Sequence, residues 1–236
     1  ATEINPLSIE AHNNLANIYG ETKQHELAVQ QYKQALQADP NNYPTLFNLG
    51  QTYLELSNSG RAIETFLQVT QIDPSFIQAH RKLVKLFFKK EKYIGALLHL
   101  KQLIKINPND TSAHISVGKV YTKLKAFKLA IKNLSLVKSR HPNNIEALEA
   151  LAETFYRTEN LDRSITEYRY LLELNPEYFP AYIQLGWVHY RREEFRMATA
   201  WTRRGLKLGL KSPQLITLAI MNLGLYAWLN GDYSLA

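Results

Sequence analysis

The chain has 236 residues, of which 45% are hydrophobic, and this apolar content is enough for a continuous core. It contains no cysteine, which excludes disulfides, thiolate metal sites and a cysteine nucleophile. Glycine and proline are sparse, with 10 and 9 residues, and no low-complexity stretch is present, so the composition argues against disorder and against tethered domains.

The net charge of +7 is unevenly distributed along the chain. Residues 76–141 carry 15 basic and 2 acidic side chains, whereas residues 1–75 carry 3 basic and 8 acidic ones. Residues 142–180 are again acidic, and residues 181–236 are basic. Such a distribution influences partner choice and association rate rather than fold. It predicts a basic band in the middle of the molecule.

A fixed spacing of 34 residues separates six prolines, and a period of this size is typical of stacked-repeat proteins. These prolines are Pro6, Pro40, Pro74, Pro108, Pro142 and Pro176. We therefore predict a single array over residues 1–236, in which each unit contacts only its neighbours. Alignment on the prolines divides the chain into registers of residues 9–42, 43–76, 77–110, 111–144, 145–178 and 179–212.

Each register is predicted to form two helices joined by a short turn. When a register is numbered from 1, with the proline at position 32, positions 4, 7, 8 and 11 share one face of a first helix, helix A. Positions 20, 24 and 27 share one face of a second helix, helix B. Position 8 is mostly small and position 20 is alanine in five registers, which lets the two backbones approach closely. The proline ends helix B because it cannot continue a helix and disfavours α geometry in the residue before it.

The first register, IEAHNNLANIYGETKQHELAVQQYKQALQADPNN, closely resembles the consensus of the tetratricopeptide repeat (TPR) family, and the other registers follow the same pattern. The resemblance implies an all-α fold, a TPR superhelix or α-solenoid. We predict six full helix–turn–helix repeats followed by a partial seventh repeat at residues 213–236. Residues 1–8 are interpreted as the end of a preceding repeat, so we expect the sequence to be a segment of a longer TPR protein.

The sequence contains no phosphate-binding glycine loop and none of the common catalytic motifs. Three of its seven histidines occupy position 4 and a fourth occupies position 11, where packing against neighbouring helices explains them. These four are His12, His80, His114 and His189. His99 is placed on helix B, without ligand spacing to the other histidines. We therefore predict no catalytic residues, no metal site, no cofactor and no enzymatic activity in this chain.

Residues 212–231 contain no charged side chain and are numerous enough to span a bilayer as a helix. Polar residues, glycines and Pro213 interrupt the stretch, however, and it matches helix A of a seventh repeat. We predict a buried repeat helix, no transmembrane segment, and an apolar side able to drive self-association. No signal peptide is visible, and the compartment is left open between cytoplasm, nucleus and periplasm, with the cytoplasm favoured.

The family resemblance implies that helix A lines the concave face of the superhelix and that positions 2, 5, 9, 12 and 13 meet the ligand. The sequence at these positions changes from amides and acids in the first two repeats to lysine and arginine, with few opposing acids, in the third and fourth. The fifth and sixth repeats add aromatic residues beside two arginines. Asn48 and Lys82, which occupy position 6, are included as well. The predicted partner-binding residues are Asn17, Asn48, Arg81, Lys82, Lys85, Phe88, Lys89, Lys119, Lys123, Tyr156, Arg157, Trp187, Tyr190 and Arg191.

A basic wall followed by an aromatic shelf suits an acidic or amphipathic peptide, because charge fixes its register and buried aromatic residues supply affinity. We predict a non-catalytic scaffold or adaptor for protein–protein interaction that binds such a segment of a partner in its concave groove. One alternative is that the basic repeats bind a polyanion, either nucleic acid or an anionic membrane. Another is that the chain recruits partners for a larger enzyme or assembly complex. A further alternative is that the basic surface serves only solubility.

A subclass of TPR domains clamps the C-terminal carboxylate of chaperone tails, and the resemblance allows a comparison with that clamp. Asn17, Asn48 and Lys82 match its positions. Two of its three expected cationic positions are instead occupied by Asn13 and Gln78. A chaperone clamp is therefore disfavoured.

Overall fold

A computed structural model shows the chain as a succession of α-helices, and it describes residues 8–208, 213–229 and 231. These ranges contain thirteen helices and no strand, which confirms the predicted all-α fold. The helices are α1 (Ile9–Glu21), α2 (His25–Ala38), α3 (Tyr43–Glu55), α4 (Ser59–Ile72), α5 (Ile77–Lys89), α6 (Tyr93–Ile106), α7 (Thr111–Lys123), α8 (Phe127–Arg140), α9 (Ile145–Arg157), α10 (Leu161–Leu174), α11 (Phe179–Arg191), α12 (Phe195–Lys207) and α13 (Pro213–Leu229). The predicted end of a preceding repeat, apart from Ser8, and the last part of the predicted seventh repeat lie outside the described residues.

Two compact units make up the chain, residues 1–113 and residues 114–236. In the first unit, three hairpins pair α1 with α2, α3 with α4, and α5 with α6, while α2 packs on α3 and α4 packs on α5. In the second unit, α9 pairs with α10 and α11 with α12, while α8 packs on α9, α10 on α11 and α12 on α13. These are the predicted helical repeat pairs, and the exact repeat boundaries stay predictions.

Helix B ends just before the proline, as predicted. Asp39, before Pro40, has φ −140° and ψ 94°, an extended conformation that a following proline favours. Asp73 and Asn107 repeat this conformation at the ends of α4 and α6. The prolines that mark the period in the sequence therefore mark the ends of helix B in the structure.

The turn between helix A and helix B contains a left-handed residue that the sequence does not reveal. In every register, the residue at position 15 has a φ between 55° and 61°, and none of these residues is glycine. They are Lys23, Ser57, Glu91, Lys125, Glu159 and Glu193. Sequence reasoning misses them because glycine or asparagine is the usual signal for a left-handed residue after a helix.

Small residues lie where the two helices of a hairpin approach each other. The alanines of position 20, which are fully buried, are Ala28, Ala62, Ala96, Ala130 and Ala198. Ser164, the polar exception at this position, is also fully buried and donates a hydrogen bond of 2.9 Å to the carbonyl of Ala152. The predicted close approach of the two helices is confirmed.

Two histidines at position 4 are buried, which confirms their predicted packing role: His12 is 8% exposed and His80 is 3% exposed. Nδ1 of His12 lies 2.7 Å from Oε1 of Gln31, and Nδ1 of His80 lies 2.9 Å from Nδ1 of His99. Gln31 and His99 both occupy position 23, so the two contacts are equivalent within the repeat. Sequence spacing does not connect His99 with His80, because the contact joins two helices of a folded hairpin.

The last helix, α13, packs on α12. Within the described ranges, no helix combines the length and the apolar character needed to cross a membrane. Ile220, Met221 and Trp228 of α13 are each more than half exposed. Self-association through this end of the chain stays a prediction.

Candidate partner-binding surface

The predicted binding residues lie on the odd-numbered helices, which are the A helices of the hairpins. We define the A-helix face as positions 2, 5, 6, 9, 12 and 13 of these helices. In the first unit the face belongs to α1, α3 and α5. In the second unit it belongs to α7, α9 and α11. The two parts are described separately.

An open cavity of about 780 Å³ lies between the first two hairpins of the first unit. Asn17 of α1 and Asn48 of α3 line it, together with the side chains of Glu21 and Glu55. The hydroxyl of Tyr32 donates a hydrogen bond of 2.6 Å to Oδ1 of Asn17. This bond orients the amide of Asn17 and leaves its N–H donors for a ligand carbonyl. The cavity thus brings the two predicted asparagines together.

A pair of lysines on α5 carries free positive charge on the face of the first unit. Lys85 and Lys89 are four residues apart, both are exposed, and neither forms an ion pair with any residue that the structure describes. Lys82 is half-buried beside them. Phe88 is also half-buried, and its ring centroid lies 5.4 Å from that of Tyr93. Two free ammonium groups one helical turn apart attract an anionic group from solution.

Arg81, on the same helix, has a structural partner. Nη2 of Arg81 lies 2.7 Å from Oδ2 of Asp110, whose side chain is 8% exposed. Oδ1 of this carboxylate accepts a hydrogen bond of 3.0 Å from the backbone N–H of Ala113, in the first turn of α7. Asp110 therefore caps α7 and holds Arg81, so this arginine is only partly available to a ligand.

Substitutions of Asp110 separate its capping role from its charge. We expect Asp110→Ala to lower the free energy of unfolding by about 1–2 kcal/mol, because α7 loses its N-cap and Arg81 loses its partner. Asp110→Asn should lose clearly less, since an asparagine oxygen still caps the helix. Urea unfolding followed by circular dichroism measures both losses. Equal losses in the two variants would contradict the capping role.

In the second unit, acids of α9 neutralise the cations of the face on α7 and α9. Nζ of Lys119 lies 2.8 Å from Oε1 of Glu146. Oε1 of Glu153 lies 3.9 Å from Nζ of Lys123 and 2.9 Å from Nε of Arg157. Because the opposing acids lie on α9, the lysines of α7 form part of an alternating charge pattern rather than a wall of free cations.

Aromatic side chains gather on α11 and α13. The rings of Trp187 and Tyr190 meet edge-on, with centroids 5.6 Å apart. Tyr226 of α13 contacts both rings, at centroid distances of 6.3 Å from Trp187 and 5.5 Å from Tyr190. The guanidinium of Arg191 lies 5.7 Å from the ring centroid of Tyr156, within reach of a cation–π interaction. The predicted aromatic residues of α11 therefore form a cluster with Tyr226.

Sequence reasoning missed Tyr226, because the match of this stretch to helix A of a seventh repeat places it at position 10, which is not among the positions predicted to meet a ligand. Tyr226 is fully buried, and this burial raises the pKa of its phenol. Arg191, which was predicted to meet a ligand, also pairs with an acid, and its Nη2 lies 2.8 Å from Oε1 of Glu159. The half-buried rings of Trp187 and Tyr190 therefore offer more to a partner than the paired arginines of this unit.

No candidate metal centre accompanies the face. In the described part of the chain, no group of three or more His, Asp or Glu side chains is arranged to hold a metal ion. The His80–His99 contact offers only two side chains. Nε2 of His80, at 3.1 Å from the carbonyl of Pro74, donates its proton there, so its Nδ1 accepts from His99.

Stacked helical hairpins with a polar and aromatic A-helix face define an all-helical repeat protein that offers surfaces to partners. Two family models described as Tetratricopeptide repeat match residues 9–42 and residues 31–64. These matches, together with the repeated helical hairpins, support a tetratricopeptide repeat protein. No curated protein matches the sequence.

Several solved structures share this fold. YrrB, described as a TPR protein with an unusual peptide-binding site, is 20% identical over 76% of this chain and 93% of its own, with a TM-score of 0.67. MamA is 23% identical over 72% of this chain and 92% of its own, with a TM-score of 0.64. The C-terminal part of a TPR protein from Cytophaga hutchinsonii is 15% identical over 92% of this chain and 89% of its own, with a TM-score of 0.70. At these identities the similarity concerns the fold.

Proposed function

We propose that this chain is a non-catalytic scaffold that binds an acidic or amphipathic segment of a protein partner on its A-helix face. The family and the fold support an interaction scaffold in general. The similarity to YrrB, a protein with a peptide-binding site, supports a peptide ligand. One observation supports acidic character in that ligand: Lys85 and Lys89 are exposed and free of ion pairs among the described residues.

The two kinds of side chain on the face have different tasks in this proposal. Lys85 and Lys89 attract the acidic residues of the partner and fix its position, because unpaired charges act mainly on encounter and register. In the second unit, the half-buried rings of Trp187 and Tyr190 are a separate surface that can supply affinity, because aromatic anchors dominate binding energy when water is excluded from them. The buried ring of Tyr226 supports these two rings from below. The paired cations of α7 and α9 contribute less, since a ligand must compete with their carboxylates.

The double variant Lys85→Glu/Lys89→Glu tests the proposal. We expect it to bind acidic amphipathic peptides, selected on a peptide array with the wild-type chain, about tenfold or more weakly, because two attractive charges become repulsive. Fluorescence anisotropy with labelled peptides measures the dissociation constants.

The matched control is Lys101→Glu/Lys105→Glu on α6, which has the same spacing, the same exposure class and the same change in net charge. This control should keep the wild-type affinity for the peptides within about threefold. Equal binding by wild type and the α5 variant would remove α5 from the binding surface. Equal loss in both variants would show that total charge, not the A-helix face, determines binding.

Polyanion binding is a second candidate function, favoured by exposed lysines on both helices of the third hairpin. Lys85 and Lys89 lie on α5, and Lys101 and Lys105 lie on α6. A nucleic-acid ligand should lose affinity steeply with added salt and respond equally to charge reversal on either helix. The scaffold should show a preferred peptide sequence, dependence on α5 alone and a shallow salt dependence.

A further inference from the structure

The second helix of the third hairpin exposes two large aliphatic side chains to solvent. Ile94 is 69% exposed and Leu98 is 60% exposed, and they are one helical turn apart on α6. Lys101 and Lys105 of the same helix are exposed as well. At 100° per residue, these four positions fall within about 60° of one another around the helix axis. We name this row of four side chains the α6 stripe.

The α6 stripe is a ridge rather than part of a groove. Residues on a helix at spacings of four, three and four lie above one another on one side, so the stripe runs for about 16 Å along the axis. Its aliphatic members are largely exposed, whereas the opposite side of α6 packs in the hairpin through Ala96, Leu100 and Leu103. The stripe therefore presents two apolar side chains and two ammonium groups outward.

The charge around the stripe is almost entirely positive. Lys90 and Lys92, in the turn before α6, are exposed like the lysines of the stripe. None of these four lysines forms an ion pair with a described residue. Between Asp73 and Asp110 the sequence has a single acidic residue, Glu91. A surface that contacts the stripe must therefore supply both negative charge and an apolar layer.

We propose that the α6 stripe docks the protein on an anionic lipid surface. Ile94 and Leu98 enter the boundary between headgroups and acyl chains, and the lysines on both sides of them reach the headgroup phosphates and carboxylates. This inference rests on α6 alone and is independent of the peptide proposed for α5.

The composition of the stripe favours lipid over a folded protein partner. Protein hot spots are rich in tryptophan, tyrosine and arginine and fill pockets, whereas the stripe offers aliphatic side chains and lysines on a ridge. Lysine is a flexible point charge that suits mobile headgroups, while arginine suits fixed bidentate acceptors. An acidic amphipathic helix is the competing occupant, and the experiment below separates it from lipid.

Vesicle co-sedimentation with the full chain tests the proposal. The probes are phosphatidylcholine vesicles with about 30% phosphatidylserine, and pure phosphatidylcholine vesicles as the neutral reference. We expect binding to the anionic vesicles only. Ile94→Ser/Leu98→Ser and Lys101→Glu/Lys105→Glu should each lower the partition coefficient about tenfold or more, because one removes the apolar contact and the other reverses the charge.

Two controls make the result specific. Ile18→Ser/Ile72→Ser removes two exposed aliphatic residues, 55% and 38% exposed, outside the basic band and should keep wild-type binding. Lys85→Glu/Lys89→Glu should keep vesicle binding within about threefold while it loses the acidic peptides. Because all these side chains are exposed, circular dichroism should show each variant folded.

Three outcomes would overturn the proposal. The first is that the wild-type chain does not bind the anionic vesicles. The second is that Ile94→Ser/Leu98→Ser binds them as well as the wild type does, which leaves only general electrostatic attraction. The third is that the α6 variants lose an acidic helical peptide but keep the vesicles, which assigns the stripe to a protein partner. Failure of the α5 peptide experiment alone leaves this inference standing.

Discussion

Gly118→Ala should lower the free energy of unfolding by about 2 kcal/mol, because position 8 of the fourth repeat has no room for a methyl group. A Cβ atom on Gly118 would lie 2.4 Å from Cγ of Leu134. Leu134 is fully buried and packs in one cluster with Ile115, Val137 and Phe155, so it cannot move away without disturbing the contact between α7 and α8. The steric cost outweighs the gain of up to about 1 kcal/mol that alanine brings to a helix over glycine.

A matched substitution and a double variant sharpen this test. Gly224→Ala, in α13, places its Cβ where no heavy atom other than those of its chain neighbours and its own helix backbone lies within 4 Å, so it should leave stability unchanged or raise it slightly. In Gly118→Ala/Leu134→Ala the clash is relieved. The double variant should therefore lose less free energy of unfolding than the sum of the losses in Gly118→Ala and Leu134→Ala. Urea midpoints of the wild type, of the single variants Gly118→Ala, Leu134→Ala and Gly224→Ala, and of the double variant are the measurement. Additive losses would show that Gly118 and Leu134 do not compete for space.

The protein should lose stability as the pH falls from about 6.5 to about 4, and the His80–His99 pair should cause much of this loss. Burial, reinforced by the neighbouring charge of His80, lowers the pKa of His99 from 6.5 to about 4. Burial also lowers the pKa of His80, against the opposing effects of its bond to the Pro74 carbonyl and of the nearby Asp73 carboxylate. The unfolded chain therefore takes up these protons first as the pH decreases.

The sign and size of the effect follow from proton linkage. A histidine whose pKa is lower in the folded state contributes its full stabilisation above pH 6.5, and this stabilisation is lost progressively as the pH falls towards 4. For His99 the loss amounts to on the order of 3 kcal/mol by pH 4. Protonation of His80 at Nδ1 removes the acceptor of the Nδ1–Nδ1 contact, and protons on both rings add repulsion between them.

The first hairpin shows which substitution removes the acid sensitivity without removing the contact. At the equivalent positions, His12 contacts Gln31 at 2.7 Å. His99→Gln should reproduce that pair, keep stability at pH 7.5 within about 1 kcal/mol and flatten the dependence between pH 6.5 and pH 4. His141→Gln, at an exposed site, serves as control and should keep the wild-type profile. Parallel profiles for wild type and His99→Gln would refute this role for the pair.

If the peptide experiment on α5 and the vesicle experiment on α6 both give the expected results, the third hairpin carries both binding surfaces of the first unit. Its helix A carries Lys85 and Lys89 towards a peptide, and its helix B carries Ile94 and Leu98 towards lipid. The His80–His99 contact joins these two helices, so acidification acts on the element that presents both surfaces. A scaffold built in this way can hold a protein partner at a membrane surface without any catalytic group.

The sequence by itself determined the helices and their pairing. Proline cannot continue a helix, and it favours extended geometry in the residue before it, so Pro40 and Pro74 predicted the ends of α2 and α4 directly. Small residues at positions 8 and 20 predicted where the helices touch. These are local properties of the chain, or properties that recur with a fixed period, and both are readable without coordinates.

Only the tertiary structure decided which charges and rings are available to a partner. Lys85 and Lys119 occupy the same repeat position, but Glu146 of the next repeat pairs with Lys119 and no described acid pairs with Lys85. The contact of His80 with His99 and the addition of Tyr226 to the aromatic cluster likewise depend on side chains from different helices. Ion pairs and ring contacts depend on distances between helices, which a single repeat position does not encode.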